Sequence, residues 1–201
     1  MPLPTREEAL ALLKEYTQDP RLLKHMLAVE ACMRAYARKF GEDEDLWGLT
    51  GLLHDMDYEK WPSPETHPLK AAEILRSKGY PEEMIYAILS HANYLQHIAP
   101  RKSLLDRALF ACDELSNFVI AVALVRPSKS IHEVDVAAVK KKLKDKRFAA
   151  GVSREDVYAG AEALGIPLDE HIAFVIEALK PVAEELGIAG TQELGAAGAG
   201  G

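Results

Sequence analysis

Apolar residues recur at three- and four-residue steps through most of this 201-residue chain, and no stretch alternates long enough to specify a strand. That period calls for helices packed through apolar stripes, and helix signals divide the chain accordingly. Thr5 with Glu8 forms a capping box, and Asp19-Pro20 opens a second helix reaching about Lys39, stopped near Gly41. A third helix covers 43–55. Ser63-Pro64 opens a fourth, closed by Gly79, and Pro81 opens a fifth. Ser103 caps a long sixth, from about Leu104 to Val125, and Ser130 or Asp135 starts a seventh. Ser153 with Asp156 caps an eighth, closed by Gly165, and a ninth runs from about Leu168 to Leu186. The expected fold is therefore a single all-α domain over residues 1–187, with about nine helices, followed by a mobile Gly/Ala-rich tail, 188–201.

The same period shows which polar residues point inward. Leu22, Met26, Val29, Met33 and Tyr36 mark the buried stripe of the second helix, and His25 lies on it. The segment GLLHDMDYEK, residues 51–60, carries an apolar run into His54 and Asp55. His67 precedes Ala71 by four residues, His91 follows Ile88 by three, and Asp113 follows Leu109 by four. A single inward histidine is ordinarily a hydrogen-bonded core residue. Inward aspartates are harder to accommodate, because an unpaired buried carboxylate costs roughly several kcal/mol. Taken together, imidazoles and carboxylates without a thiolate form a ligand set for a divalent transition metal: iron, manganese, zinc, nickel or cobalt. Six ligands exceed a closed four-coordinate zinc site and suit one octahedral ion with spare histidines, or two ions bridged by a carboxylate. His97 reads as a surface histidine and His171 as exposed or capping. Cys32 and Cys112 read as reduced core residues.

The formal charge of −7 argues against a broad nucleic-acid or membrane surface. The longest uniform apolar run, FVIAVALV at 118–125, is too short to span a bilayer, and the polar start MPLPTREEAL is no signal peptide. A soluble cytoplasmic chain is expected, with its oligomeric state left open.

The ordered series His25, His54-Asp55, His67, His91 and Asp113 resembles the HD superfamily of metal-dependent phosphohydrolases. The ligand order carries the resemblance over roughly 18–125. LLHDMDYEK, SHANY and LFACDELSNFVIAVALVRPSKSI, which look like a bacterial subgroup of predicted HD hydrolases, extend it to about residue 180. The resemblance implies that His25, His54, Asp55 and Asp113 hold a first metal, and that His67 and His91 hold a second, with Asp55 bridging. Met56-Asp57 departs from the Ile-Gly that follows the pair in many dinuclear relatives, which weakens transfer of a particular substrate such as a bis-nucleoside polyphosphate. The implied reaction is hydrolysis of a phosphate ester or anhydride of a nucleotide, or of a similar small phosphorylated metabolite, by metal-activated water. Asp55 and Asp57 are the expected catalytic carboxylates, Asp57 either orienting the water or accepting from a ligand histidine; a solvated turn aspartate is the bland alternative. Tyr58, Glu59 and Glu65 are weaker candidates. Arg126 and Lys129, which follow the helix carrying Asp113, are expected to contact phosphate, with Lys144 or Arg147 behind them. Two other readings share these residues: a di-iron oxygenase of HD-type fold, revealed by oxygen consumption, and a non-catalytic nucleotide-binding signalling module, revealed by binding without turnover.

Overall fold

Helix starts occur where short polar side chains can satisfy orphan backbone N–H groups. In the computed structural model, which describes residues 2–191, Thr5 and Glu8 form a reciprocal box at the start of α1 (Arg6–Tyr16). Asp19 caps α2 (Pro20–Phe40), which ends at Gly41 in the left-handed conformation. Asp43 caps α3 (Glu44–Leu53). α4 (Leu69–Ser77) and α5 (Glu82–Ser90) follow, and Ser103 and Asp106 box the start of α6 (Leu104–Leu124). Of the two possible starts for the next helix, Asp135 caps α7 (Val136–Leu143), while Ser130 caps a short 3₁₀ turn. α8 (Arg154–Leu164), α9 (Leu168–Leu179) and a single-turn α10 (Ala183–Leu186) complete the all-helical fold; no strand occurs among the described residues. None of these helices is long and apolar enough to cross a membrane.

Three expectations are corrected. The fourth helix begins at Leu69 rather than after Ser63, because Pro68 disfavours helical backbone at His67, so His67 lies in the preceding turn. The ninth helix is interrupted at Pro181, which cannot donate to the ladder, and a 3₁₀ turn links α9 to α10. Ile188, placed in the tail by the sequence, is fully buried, and its carbonyl accepts from Ile131 N–H at 2.8 Å. Of the expected tail, residues 192–201 lie outside the described residues.

α2 and α6, each 21 residues long, pair at the centre; α3 packs on α2, and α8 on α6. Met26, Val29, Met33 and Tyr36 of α2 and Leu109, Leu115 and Phe118 of α6 are fully buried. Each such large apolar side chain contributes about 1.5–3 kcal/mol. Two glycines permit the close contacts. A Cβ on Gly51 would stand 2.9 Å from the Val29 carbonyl oxygen, and one on Gly160 would stand 2.7 Å from Ala111 Cα. The Gly51 contact brings the end of α3 directly onto α2, which sets up the polar cluster between them.

Candidate metal centre

α3 stops at Leu53 with His54 as its C-cap, and α5 stops at Ser90 with His91 as its C-cap. The final turn of a helix leaves unpaired carbonyls, and both histidines use them. His54 Nδ1 donates to the Gly51 carbonyl at 2.7 Å, and His91 Nδ1 donates to the Ile88 carbonyl. A carbonyl only accepts, so in each neutral ring Nδ1 carries the proton and Nε2 keeps the lone pair. His25 Nδ1 meets Asn117 Oδ1 at 2.8 Å, and His67 Nδ1 meets Asp57 Oδ1 at 2.6 Å. All four rings thus aim Nε2 at the same small volume.

Two carboxylates occupy that volume. Asp113 Oδ1 lies 2.9 Å from His25 Nε2 and 3.1 Å from His54 Nε2. Asp55 divides its oxygens: Oδ2 is 3.4 Å from His25 Nε2 and 3.3 Å from His54 Nε2, while Oδ1 is 3.2 Å from His67 Nε2 and 3.1 Å from His91 Nε2. Two metal-sized groups result, His25–His54–Asp55–Asp113 and Asp55–His67–His91, with Asp55 common to both. All six residues expected as ligands are brought together. Lone pairs and negative charge converge, and the rings are held by their far nitrogens, as ligand histidines are. The donor set fits hard-to-intermediate divalent cations and contains no thiolate.

Charge in the metal-free cluster follows from this crowding. Burial pulls the pKa of His25 down, but Asp113 and Asp55 outweigh it and raise it to about 9. Burial opposes protonation of His67 too, yet Asp55 and Asp57 bring it to about 9. His54 is raised well above its ordinary value against its burial by Asp55 and Asp113. Asp55 and Asp113, despite burial, are lowered by the facing histidines, chiefly His54. Protons here occupy the nitrogens that a metal would take, so metal binding releases them.

Of the two roles expected of Asp57, the structure shows acceptance from a histidine of the cluster and not the orientation of a water. Asp57 is fully buried; one oxygen holds His67 and the other accepts the Ala71 N–H at 2.9 Å, inside the first turn of α4. With both oxygens engaged away from the opening, it positions His67 and does not face the cleft. The solvated-turn alternative is equally overturned.

Asn117, Tyr94 and Arg101 are positioning residues that the sequence did not single out, whereas Tyr58 and Glu59 are among its weaker candidates. Asn117 lies one turn beyond Asp113, so α6 holds both edges of the His25 ring. The four-residue step from Asp113 within DELSN was the available signal. Tyr94 donates to the His67 carbonyl, and Tyr58 sets its ring edge-on to His67 at 5.3 Å. Arg101 donates to the His91 carbonyl at 3.0 Å and to Asn93 Oδ1 at 2.8 Å, with its guanidinium 3.5 Å over the Phe110 ring. Glu59 accepts from the Gln18 and Asp19 N–H groups, tying the start of α2 to the segment after His54-Asp55.

An open cleft of about 540 Å³ leads to the first group. Its floor is His25, Asp55 and Asp113; Glu114 and Asn117 of α6 form one wall, Arg21 and Leu22 of α2 another, and Tyr58 closes a third side. Asp19 at the rim bonds Arg21 Nη2 at 3.2 Å. Burial and the neighbouring Asp113 push Glu114 up to about 7.

The expected phosphate contacts are not in this cleft. The last eleven residues of α6, about 16 Å of helix, separate Asp113 from Leu124, and Arg126 lies beyond. Arg126 gives Nε and Nη2 to the Glu133 carbonyl at 3.1 and 2.9 Å, and Lys129 is exposed in the following turn. Lys144 and Arg147 are exposed too, and Lys144 lines a different depression, with Tyr158 and Arg154. Linear proximity to Asp113 misled because a helix carries its own C-terminus away from its midpoint. His97 is exposed, as expected, but His171 is fully buried. Its place in the first turn of α9 suggested a solvent-facing residue; packing of α9 on α2 and α6 supplies the Tyr36 hydroxyl at 2.5 Å and the Ala111 carbonyl at 2.9 Å instead.

The family model described as HD domain matches residues 22–117, a segment that holds all six converging residues. No solved structure matches the chain. The HD domain is in general a domain of metal-dependent hydrolases, and the His/Asp cluster fits a divalent metal site.

Proposed function

The chain belongs to the HD-domain superfamily, and on that premise we propose that it is a phosphohydrolase using two divalent ions to cleave a phosphate ester or anhydride of a small nucleotide-like metabolite. The observation that carries this reading is Asp55, whose two oxygens face two separate histidine groups at the floor of an open cleft. His25, His54, Asp55 and Asp113 would hold one ion, and Asp55, His67 and His91 the other, with iron, manganese, zinc, nickel and cobalt all compatible with these ligands. Such ions supply Lewis-acid polarisation of the phosphoryl group and acidification of water.

The chain's own groups do the rest. Arg21 is the cation at the mouth; its Nη2 bonds Asp19 at the rim, and its side chain is exposed, so it can turn a donor to a phosphoryl oxygen. The Asn117 amide accepts from His25 through Oδ1, which leaves its NH₂ to donate into the cleft. Asp57, Asn117 and the Gly51 and Ile88 carbonyls hold the four rings in one tautomer, so no ligand must reorient when substrate arrives. Phosphate release from nucleotides, dinucleoside polyphosphates and sugar phosphates, by metal-loaded wild type beside Asp55→Ala, tests the reading. Release by wild type alone is expected, with the variant losing both ions. Equal release by the variant with its metal retained would remove Asp55 from the mechanism.

A further inference from the structure

We propose that the cleft selects a monophosphate ester on a hydroxyl-bearing body, rather than a polyphosphate. The inference rests on the hydrolytic reading above and narrows its substrate.

The charge of the cleft comes first. Its lining holds four carboxylates, Asp19, Asp55, Asp113 and Glu114, and one guanidinium, Arg21. Arg21 is already paired with Asp19. Two divalent ions at the floor reverse this excess by only one or two charges. A phosphate monoester brings roughly −1.5 to −2, which the two ions and Arg21 can meet. A triphosphate brings about two charges more, and they would lie along walls carrying Asp19 and Glu114. No further Lys or Arg lines the cleft among the described residues; the lysine-rich segment that could have neutralised a polyphosphate lies elsewhere. Carboxylates set against an anionic chain are a repulsive element, and specificity is commonly built from such elements.

Glu114 indicates the substrate's body. Its Oε2 accepts the Ser153 N–H at 3.2 Å, and no protein hydrogen bond reaches Oε1 among the described residues. One turn along α6, the Asn117 NH₂ is also without a protein partner among the described residues. An acceptor and a donor thus flank the floor, and the acceptor needs a donor from the substrate that covers it. A hydroxyl near the phosphate meets that need. On the far side Leu22 and Tyr58, the latter 43% exposed, offer an apolar and aromatic surface for a flat ring.

The test uses the metal-loaded full chain. Rates of phosphate release, as kcat/KM, are compared for adenosine 5′-monophosphate, adenosine 5′-triphosphate, 2′,3′-dideoxyadenosine 5′-monophosphate and ribose 5-phosphate. Wild type is expected to favour the monophosphate over the triphosphate by roughly tenfold or more, and over its dideoxy analogue by about 10- to 100-fold, the range for an unpaired buried polar group. Glu114→Ala, with its metal content and thermal unfolding checked, should bring the second ratio close to one. Tyr58→Ala should raise KM for the adenosine ester and leave ribose 5-phosphate unchanged; equal effects would assign the body to sugar recognition alone, still a hydroxyl-bearing monophosphate. A triphosphate cleaved as well as the monophosphate, or a dideoxy analogue cleaved as well as its parent, overturns the proposal. Calorimetric binding of the same four compounds separates the two levels. Preference for the monophosphate without phosphate release would sink hydrolysis and keep the ligand class. Equal or tighter binding of the triphosphate, or binding of none of the four, would sink the ligand class itself.

Discussion

Histidine is buried in two places along the α2–α6 pair, and the two places behave oppositely. At one end His25 meets Asp113 and Asp55, and its pKa rises to about 9. Further along the same helices His171 lies between Tyr36 of α2 and Ala111 of α6, and burial lowers it to about 4. Both rings are buried, His171 fully and His25 at the floor of the cleft. The difference lies in what faces the ring: carboxylates compensate a cation, whereas a hydroxyl and a carbonyl satisfy a neutral imidazole without compensating a charge. His171 Nε2 donates to the Ala111 carbonyl, so Nδ1 accepts from the Tyr36 hydroxyl, and both nitrogens are used within the protein. The four histidines of the centre keep Nε2 for something else. A buried histidine is therefore a ligand candidate when its outer nitrogen faces carboxylates, and a core residue when both nitrogens end on neutral partners.

The largest way to sharpen this contrast is alkaline titration of metal-free protein. His25 and His67 have folded pKa values near 9 against an ordinary 6.5, so between those values the folded state holds more protons than the unfolded state. Stability then falls as pH rises, fully present below about 6.5 and lost through about 9, by about 3 kcal/mol or more. Urea unfolding at several pH values measures it, and saturating metal should flatten the slope. An equally steep slope with metal bound would contradict the ligand assignment.

His171 predicts the opposite limb. Its folded pKa near 4 lies below the ordinary 6.5, so the unfolded state binds the extra proton between them, and stability declines on acidification through that window by about 3 kcal/mol. His171→Phe should flatten this limb while lowering stability at neutral pH by about 1–3 kcal/mol, since the Tyr36 hydroxyl loses its acceptor. Its metal content should match wild type; a loss of metal would break the separation of the two regions.

Asp57→Asn should weaken the second ion by about 10- to 100-fold, the usual effect of removing a carboxylate behind a ligand histidine, and leave the first ion in place. Competitive metal titration with mass-spectrometric counting decides it. Loss of both ions together would show the two groups to be one site. The smallest effect is expected at Arg126→Ala, about 1 kcal/mol of stability from its bonds to the Glu133 carbonyl, with KM and metal content unchanged. A raised KM would return Arg126 to the substrate.

The sequence by itself determined the helical class, most helix starts and the six converging His and Asp residues. Caps at Thr5, Asp19, Ser103 and Ser153 act over two or three residues, so their physics is local and written in linear order. These six were legible because inward aspartates are costly without a cation, and all six fall within the HD-domain match, 22–117. The tertiary structure decided what depends on distant groups. Asn117, Arg21 and Glu114 are ordinary polar residues on helix surfaces until α2 and α6 come together and place them around one cleft. Arg126 looked close to Asp113 in sequence, but α6 carried it about 16 Å or more away. His171 looked exposed until α9 docked. Periodicity tells which face of a helix turns inward; the partner it meets there, and hence its charge and role, is set only by packing across long sequence separations.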